Sequence, residues 1–586
     1  MIGRRTNKGR CTRRQPPSGG RRRSSMPSRA MPIDGPIRDI IETGRTRLLI
    51  TGAVILLAFG CIGVRLVDLT VLRPAQEPRL ARTAPMERIE TERADIVDRN
   101  GEILASGLAT ASLYANPRRV IDPDDAARLV ASVLPQADAT ELAAKLRQDR
   151  SFIWLARNLT PREQWEIHRL GIPGLDFQRE ETRIYPHGRL VSHILGYTDI
   201  DNHGIAGVER SYDARLRGER SPIMVTLDIR IQHIMRDALS AAMEKHRAIG
   251  GAGVVLDIKS GEILSLISLP DFDPHQAGTA SDAQRRNRAT LDVYELGSAF
   301  KIFTTAMALD SGVVTLRGGY DATKPIRVSR FIINDDHPKS RWLSVPEIFM
   351  FSSNIGAVKM ALDVGADTQR AFMDRLGMFR QPGIELPEIG RPLGPEPWRE
   401  VSTMTVSFGH GLAVSPLQLA AGVSAIVNGG LYRRPTLVKQ DGLSVATRVI
   451  SDRTSERMRR LMRLAVTAGT GRQADVPYSL VGGKTGTAEK AKGRRYDRRA
   501  LLSSFVAAFP MHAPRYVVYV LLDEPRGTAK THGFASAGWT AAPTTSHVIA
   551  RIGPILKVPP VDPAQPEIRE AMKVAIPGQG AKYASF

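Results

Sequence analysis

The chain has 586 residues, with 82 Lys and Arg against 60 Asp and Glu, and 42% of its residues are hydrophobic. This ordinary globular composition excludes wholesale disorder and collagen-like repeats, and the length predicts two large domains with smaller appendages. The two cysteines, Cys11 and Cys61, are too few for a disulfide scaffold or a cysteine-based zinc site. The net charge of +22 suggests nucleic-acid binding, but the distribution of this charge argues against that class.

Residues 1–47 form a basic segment that we predict to be a disordered tail. They contain thirteen Lys or Arg and three acidic residues, a net charge of +10, and they are rich in Gly, Pro and Ser without apolar periodicity. A positive segment beside an apolar run is typical of the cytoplasmic side of a membrane anchor. Because this topology explains the charge, and the segment has no interleaved aromatic residues, we expect no nucleic-acid binding.

An uncharged run follows directly, from Leu48 to Val64, with Arg47 and Arg65 at its ends. Its 17 residues are at the short end for a membrane-spanning helix, and both arginines can extend to the interfaces. We predict a single transmembrane anchor over residues 48–67, with the bulk of the chain outside the cytoplasm. A cleaved signal peptide is the alternative, but residues 65–68 do not form a small-residue cleavage site.

Residues 68–222 carry no recognisable catalytic pattern. Arg93–Ala105 reads as a strand, an Asn-Gly turn and a second strand, and residues 123–149 are rich in Ala and Leu with helical spacing. We predict that this region is a non-catalytic pedestal domain.

Residues 223–556 predict an α+β domain with an antiparallel sheet flanked by helices. A hairpin is expected over residues 253–267 and a strand pair over residues 503–522, with mostly helical sequence between them. Residues 557–586 are Pro-rich, and we expect a loosely held tail there.

The first motif with chemical potential is Gly297-Ser298-Ala299-Phe300-Lys301, followed by an apolar helical pattern up to Gly312. At the N-terminus of that helix, the helix dipole favours negative charge developing on Ser298. Lys301 shares its face and can accept the serine proton if the pKa of the amine is lowered. Alone, this spacing is equally typical of a Ser and a Lys on a helix surface.

Two further motifs carry polar side chains. Ser352-Ser353-Asn354 offers a hydroxyl to relay a proton and an amide to hold a substrate carbonyl. Lys484-Thr485-Gly486-Thr487 offers a cation and hydroxyls for an anion, and Leu480–Gly483 before it predicts a strand whose backbone another segment approaches closely. A phosphate-binding loop is excluded because Tyr478 stands where that motif needs glycine.

The three motifs occur in the order S-x-x-K, S-x-N and K-T-G, a set typical of penicillin-binding proteins and serine β-lactamases. Over most of its length the chain resembles the class B penicillin-binding proteins, which are membrane-anchored peptidoglycan DD-transpeptidases. The similar segments outside the motifs are Arg93–Ala105, residues 184–209, Thr226–Gln232 and Val293–Gly297. The chain departs from the family pattern at Ala94, where Gly is usual, and at Leu296, where Pro is common.

The resemblance extends to the division (septal) type of this family. Residues 407–418, 504–510, 515–518 and 523–525 are similar to that type, whereas the cell-elongation type usually differs in these blocks. An elongation-type enzyme therefore remains the alternative. His410 lies in the first block, in a Gly-rich segment that favours a structural role.

The resemblance implies a serine β-lactamase/DD-transpeptidase-like fold on an elongated, dimerisation-type pedestal, in the inner membrane with the catalytic domain in the periplasm. It implies that Lys301, kept partly neutral by burial and by Lys484, accepts the proton of Ser298, which attacks a D-Ala-D-Ala stem peptide. The residues it assigns are Ser298, Lys301, Ser352 and Lys484 for catalysis, and Asn354, Thr485, Gly486 and Thr487 for substrate binding.

Implied partners are peptidoglycan stem peptides, β-lactam antibiotics, a polytopic septal glycosyltransferase and other divisome membrane proteins; neither a metal nor a cofactor is implied. A β-lactamase would need a water-activating group, and no clear Glu-containing loop for this follows Ser352. A β-lactam sensor would need a larger intracellular module than 47 residues. A catalytically silent, β-lactam-binding division scaffold stays open, although intact Ser298, Lys301 and Lys484 argue against it.

Overall fold

A computed structural model describes residues 49–64, 93–328, 331–492, 495–576 and 581–583 of the chain, which divides into two units, Met1–Ile89 and Glu90–Phe586. In the first unit, residues 49–64 form helix α1. No helix within the described ranges is both long and apolar enough to cross a membrane. Residues 1–48 and 65–92 lie outside the described residues. The predicted tail, both ends of the predicted anchor and the first 25 residues of the predicted pedestal fall there.

The first half of the second unit is built from short strands and helices. In chain order they are β1 (Ile96–Val97), β2 (Ile103–Ala115), α2 (Pro123–Val133), α3 (Ala139–Leu146), β3 (Ile153–Leu159), α4 (Pro161–Arg169), β4 (Leu175–Ile184), α5 (Ser192–Leu195), α6 (Gly207–Ser211), α7 (Asp213–Gly218) and β5 (Ile223–Met224). The predicted strand–turn–strand over Arg93–Ala105 is confirmed, since β1 and β2 pair antiparallel. The helical stretch 123–149 forms two helices, α2 and α3.

A five-stranded sheet organises this half of the unit. Its order is β3-β2-β1-β5, with β4 also paired to β2, and β1 runs parallel to β5. The end of the sheet farthest from β1 packs against helices α2, α3 and α4 and has its own hydrophobic core. In this core Leu113 of β2 is buried with one residue of each helix, Val130, Leu142 and Ile167. We call residues 109–181, which contain this separate core, the head.

The rest of the unit carries the three motifs. Its elements are α8 (Ile229–His246), β6 (Gly250–Asp257), β7 (Ile263–Leu269), α9 (Asp282–Arg285), α10 (Lys301–Asp310), β8 (Gly319–Asp321), β9 (Ile326–Val328), β10 (Phe331–Ile333), β11 (Trp342–Ser344), α11 (Val345–Phe351), α12 (Asn354–Val364), α13 (Ala366–Arg375), α14 (Glu400–Val406), α15 (Pro416–Val427), β12 (Leu431–Arg433), β13 (Ala446–Arg448), α16 (Asp452–Thr467), β14 (Gly482–Lys492), β15 (Arg495–Phe509), β16 (Tyr516–Asp523), α17 (Ala541–Ile555), α18 (Pro566–Ala571), β17 (Lys573–Ala575) and β18 (Ala581–Tyr583).

Its main sheet is antiparallel throughout, in the order β14-β15-β16-β6-β7. Helices cover both faces of this sheet, and the side chains of β16 alternate between the faces. On one face Val518 and Val520 pack with α8 and α17. On the other face Val517 and Tyr519 pack with α10 and α15. The predicted antiparallel sheet flanked by helices is therefore confirmed. Both predicted strand pairs are present, as β6–β7 and β15–β16.

The Pro-rich end of the chain differs from the prediction of a loosely held tail. It contributes α18 and β17, and Met572, Val574 and Ile576 are buried against the same core as α10 and α15. Pro566 begins α18, and the few apolar residues that follow among polar ones are those that pack against the core.

Candidate active site

Ser298 lies in a single 3₁₀ turn, Gly297–Phe300, that leads into α10. Ala299 and Phe300 are fully buried and hold the turn in the core, while Ser298 keeps an accessible side chain. The turn thus presents one hydroxyl at the start of a buried helix. Lys301 begins α10, and its Nζ lies 3.0 Å from Ser298 Oγ.

The second motif joins two helices at the same place. α11 ends at Phe351, and Ser352 takes the left-handed backbone conformation with φ 61°, which is uncommon for a residue other than glycine. Ser353 caps α12 through a hydrogen bond that its hydroxyl accepts from the N–H of Gly356. Asn354 is the first residue of α12, so the side chains of Ser352 and Asn354 both meet Lys301.

Lys301 is almost completely buried and its Nζ has four oxygen neighbours. The two shortest contacts are to the carbonyl oxygen of Ser352, at 2.6 Å, and to Asn354 Oδ1, at 2.5 Å; both oxygens only accept. The other two are the hydroxyls of Ser298, at 3.0 Å, and Ser352, at 3.2 Å. A neutral amine that donates its two N–H groups to the two carbonyl oxygens therefore directs its lone pair at the hydroxyls.

Lys484 of β14 reaches the same hydroxyl, with its Nζ 2.9 Å from Ser352 Oγ. Burial lowers the pKa of Lys301 to about 8, against the opposing effect of Asp336 and Asp335. Burial and the charge of Lys301 lower the pKa of Lys484 well below its usual value. The sequence predicts that Lys484 helps to lower the pKa of Lys301. In the structure, desolvation by burial is the cause of this lowering.

Strand β14 comes unusually close to the Ser298 turn. A Cβ on Gly486 would lie 2.6 Å from the carbonyl oxygen of Leu296, so no larger residue fits there without movement. Thr485 Oγ1 lies 3.3 Å from Lys484 Nζ. The hydroxyl of Thr487 accepts a hydrogen bond from the N–H of Ala537 and lies outside the lysine–serine network. The predicted strand before the motif begins only at Gly482.

Three supporting residues were not predicted from the sequence. Asp335 accepts hydrogen bonds from Ser353 Oγ and the N–H of Ile355, and so fixes the start of α12. Thr470 shares a hydrogen bond of 2.8 Å with Thr485 Oγ1. Glu295 accepts the N–H of Gly411 at 2.7 Å. None belongs to a motif, although Glu295 is in the residues just before Ser298.

Two family models match the chain. The penicillin binding protein transpeptidase domain matches residues 251–544, and the penicillin-binding protein dimerisation domain matches residues 88–237. The first range contains the whole site described above.

Several related proteins are named peptidoglycan D,D-transpeptidases. The chain is 41% identical to a probable peptidoglycan D,D-transpeptidase FtsI of Caulobacter vibrioides, over 80% of this chain and 82% of that protein. It is 33% identical to a probable peptidoglycan D,D-transpeptidase PenA of Neisseria meningitidis, over 85% and 90% of the two chains. It is 29% identical to the peptidoglycan D,D-transpeptidase FtsI of Escherichia coli, over 82% and 88%.

Solved structures share the fold. A peptidoglycan synthetase from Bifidobacterium adolescentis superposes with a TM-score of 0.66 at 24% identity, over 82% of this chain and 98% of that one. Penicillin binding protein 3 of Mycobacterium tuberculosis, in complex with aztreonam, gives a TM-score of 0.65 at 23% identity, over 80% and 97%.

Proposed function

The chain is a class B penicillin-binding protein of the division type, and on this basis we propose that it cross-links peptidoglycan stem peptides during septal cell-wall synthesis, as a serine D,D-transpeptidase that β-lactams inhibit. The observation that carries the proposal is the continuous contact from Ser298 through Lys301 and Ser352 to Lys484. Both lysines are buried, and no carboxylate of the described residues forms a salt bridge with either. With a pKa of about 8, a fraction of Lys301 is the neutral amine at neutral pH and can act as a base.

In the first half-reaction, neutral Lys301 accepts the hydroxyl proton of Ser298, and the alkoxide attacks the carbonyl carbon between the two D-alanines of a donor stem peptide. The backbone N–H groups of Ser298 and Thr487 are the proposed oxyanion donors. The segments that carry these two N–H groups lie against each other: a Cβ added to Gly297 would be only 2.5 Å from the carbonyl oxygen of Thr487. Loss of one such donor typically lowers the rate about 10²- to 10³-fold.

The terminal D-alanine then leaves with a proton delivered through Ser352, whose hydroxyl contacts both lysines. In the second half-reaction an amine of another stem peptide attacks the ester on Ser298, and the new amide is the cross-link. A β-lactam enters the first half-reaction in the same way and stays attached to Ser298.

Substrate binding is assigned to the edge of β14 and to Asn354. The carboxylate of the donor peptide meets the hydroxyls of Thr485 and Thr487, with Lys484 nearby. Burial and Lys301 lower the pKa of Lys484, and a bound carboxylate would favour its protonated form. Gly486 keeps the strand close enough to Ser298 for the peptide to lie between them. The amide of Asn354, whose Nδ2 donates to the carbonyl oxygen of Asn334, holds a peptide group of the donor.

The proposal places the site outside the cytoplasm on a single-pass inner-membrane anchor over residues 48–67, with a basic tail over residues 1–47. The basic residues on one side of an apolar run support this topology. The pedestal over residues 68–222 would dock the transpeptidase domain, residues 223–556, onto a polytopic septal glycosyltransferase and other divisome membrane proteins.

The test in cells is complementation after depletion of the protein. Wild-type chain and the control Ser311→Ala, on the exposed end of α10, should restore division, whereas Ser298→Ala should leave filaments without completed septa. Rounded cells in place of filaments would contradict the septal assignment and indicate an elongation enzyme. Normal division with Ser298→Ala would show that the chain acts as a scaffold.

A further inference from the structure

Beyond Thr487 the site is lined by groups that the acylation step does not use. Gly297 donates its N–H to the carbonyl oxygen of Gly409 at 3.2 Å, and Gly411 donates to Glu295 Oε1 at 2.7 Å. Gly409 has φ +88°, and a Cβ there would lie 2.0 Å from the carbonyl oxygen of Gly297. The residue between the two glycines, His410, is therefore held against the turn that carries Ser298.

The imidazole of His410 has a defined orientation. Its ring contacts the rings of Phe408 and Tyr496, at centroid distances of 5.3 and 5.4 Å. Nδ1 lies 3.5 Å from Glu295 Oε2, and the side chain is 26% exposed. Within the described part of the chain nothing forms a hydrogen bond to Nε2, so this nitrogen is available to a ligand.

Burial and nearby charges act on the pKa of His410 in opposite directions. Burial and Lys301 lower the pKa of His410, while the carboxylates of Glu295, Glu489 and Asp336 oppose this shift. Tyr496 donates to Glu295 and stays a neutral phenol, because burial and that carboxylate raise its pKa. The net shift favours the neutral imidazole, which can accept a proton, and the carboxylates stabilise the imidazolium once it has formed.

Glu489 adds a second feature of this end of the site. It follows Thr487 by two residues on β14, and alternation along a strand places Thr485, Thr487 and Glu489 on one face. Along this face of β14, the hydroxyls of Thr485 and Thr487 near Lys484 are followed by the carboxylate of Glu489 near His410. The hydroxyl end suits the donor carboxylate, and the Glu489 end suits a cation.

The second half-reaction needs a group that attracts a cationic amine and a group that accepts its proton. An aliphatic amine at neutral pH is mostly an ammonium ion, which has no lone pair with which to attack an ester. We propose that His410, oriented by Glu295, is the base that takes the surplus proton from the acceptor ammonium, and that Glu489 attracts this cation. This inference rests on the proposed transpeptidase function.

The protons balance. His410 takes one proton from the ammonium and later releases it to water. The neutral amine attacks the acyl carbon, forming a C–N bond as the bond from carbon to Ser298 Oγ breaks. The second amine proton passes through the Lys301–Ser352 pair to Ser298 Oγ, which restores the free enzyme.

The test uses the full chain in detergent with an N-acyl-D-alanyl thioester as donor and two probe acceptors. Glycinamide is largely an ammonium ion at neutral pH, whereas methoxyamine is already a neutral amine. For His410→Gln we expect amide formation with glycinamide to fall about 10²-fold or more, the range of general-base catalysis. Product from methoxyamine and acylation by a fluorescent penicillin should stay at the wild-type rates.

Controls separate a positioning role from a structural one. Glu295→Gln should weaken the glycinamide reaction less and shift its pH profile, while His233→Gln, exposed on α8, should change nothing. Unchanged glycinamide product with His410→Gln, or an equal loss with both acceptors, would overturn the inference. If wild-type chain failed to consume the thioester or to bind penicillin, the proposed function would fall, and this inference with it.

Discussion

Two buried lysines meet at one hydroxyl, that of Ser352, and this contact determines the chemistry of the site. Water cannot solvate two ammonium groups there, and no carboxylate among the described residues pairs with either. The free energy is lowered when at least one amine is neutral, which is the state in which an amine accepts a proton. Burial thus brings the neutral amine into the physiological pH range, whereas an exposed lysine becomes neutral only in alkali.

The pH dependence of acylation follows from the pKa of Lys301, about 8. Because the neutral amine is the active form, the acylation rate constant of a penicillin should rise about tenfold per pH unit below pH 7 and level off above about pH 9. Stopped-flow measurements between pH 6 and 9 check this. A flat profile over that range would show that Lys301 is not the base.

The residues with chemistry were predictable because the family motifs name them, whereas their supports were not. Asp335 and Thr470 act through hydrogen bonds to Ser353 and Thr485, which lie 18 and 15 residues away in the sequence. An isolated Asp or Thr carries no pattern that a single sequence reveals. The cause of the lowered pKa of Lys301 likewise depends on the packing around it.

At the scale of elements, the site is where three chain segments converge. The 3₁₀ turn before α10, the junction of α11 and α12, and strand β14 each contribute one motif. Strands with alternating or continuous apolar residues, such as β6 and β16, were predicted from the sequence. The first half of β15, Arg495–Leu501, was not, since its residues are mostly polar and it pairs only with β14.

A buried ion cluster joins α6 to β4 and to the segment before β1. Glu209 is fully buried and accepts hydrogen bonds of 2.7 Å from both Arg93 Nε and Arg183 Nε. Glu209→Gln would leave two buried guanidinium groups without their shared counter-charge, so we expect the free energy of unfolding to fall by about 3–5 kcal/mol. Urea unfolding measures this change.

The matched control is Glu166→Gln, which removes a carboxylate from an exposed pair with Arg162 on α4. Exposed pairs contribute little, so its unfolding curve should overlie that of the wild type. Equal effects of the two substitutions would show that the buried cluster does not stabilise the pedestal.

At the scale of the whole second unit, one hydrophobic core joins the base of the pedestal to the transpeptidase fold. Ala94, Ile96 and Leu104 belong to the same buried cluster as Phe300 and Leu419. Strand β1 also pairs with β5, at the start of the predicted transpeptidase domain. Cutting the chain at residue 222 would therefore open a continuous core, which the composition of the sequence did not indicate.

The head is a different case, because its core is separate. Ala109 and Glu181 face each other across β2 and β4, so an Asn-Gly turn can replace residues 110–180 and close a short hairpin. We expect this variant to keep the wild-type rate of penicillin acylation but to fail in division, if the head docks partners. Loss of acylation would contradict the independence of the head, and normal division would contradict its docking role.

The central claim is that Ser298 forms a long-lived acyl-enzyme, and incubation of the full chain with a fluorescent penicillin tests it most directly. Ser298→Ala serves as the matched variant, and mass spectrometry of the labelled peptide locates the adduct. The account predicts a persistent adduct on Ser298 in the wild type and none in the variant. An adduct on Ser298→Ala, or one that forms on the wild type and is rapidly hydrolysed as in a β-lactamase, would contradict it.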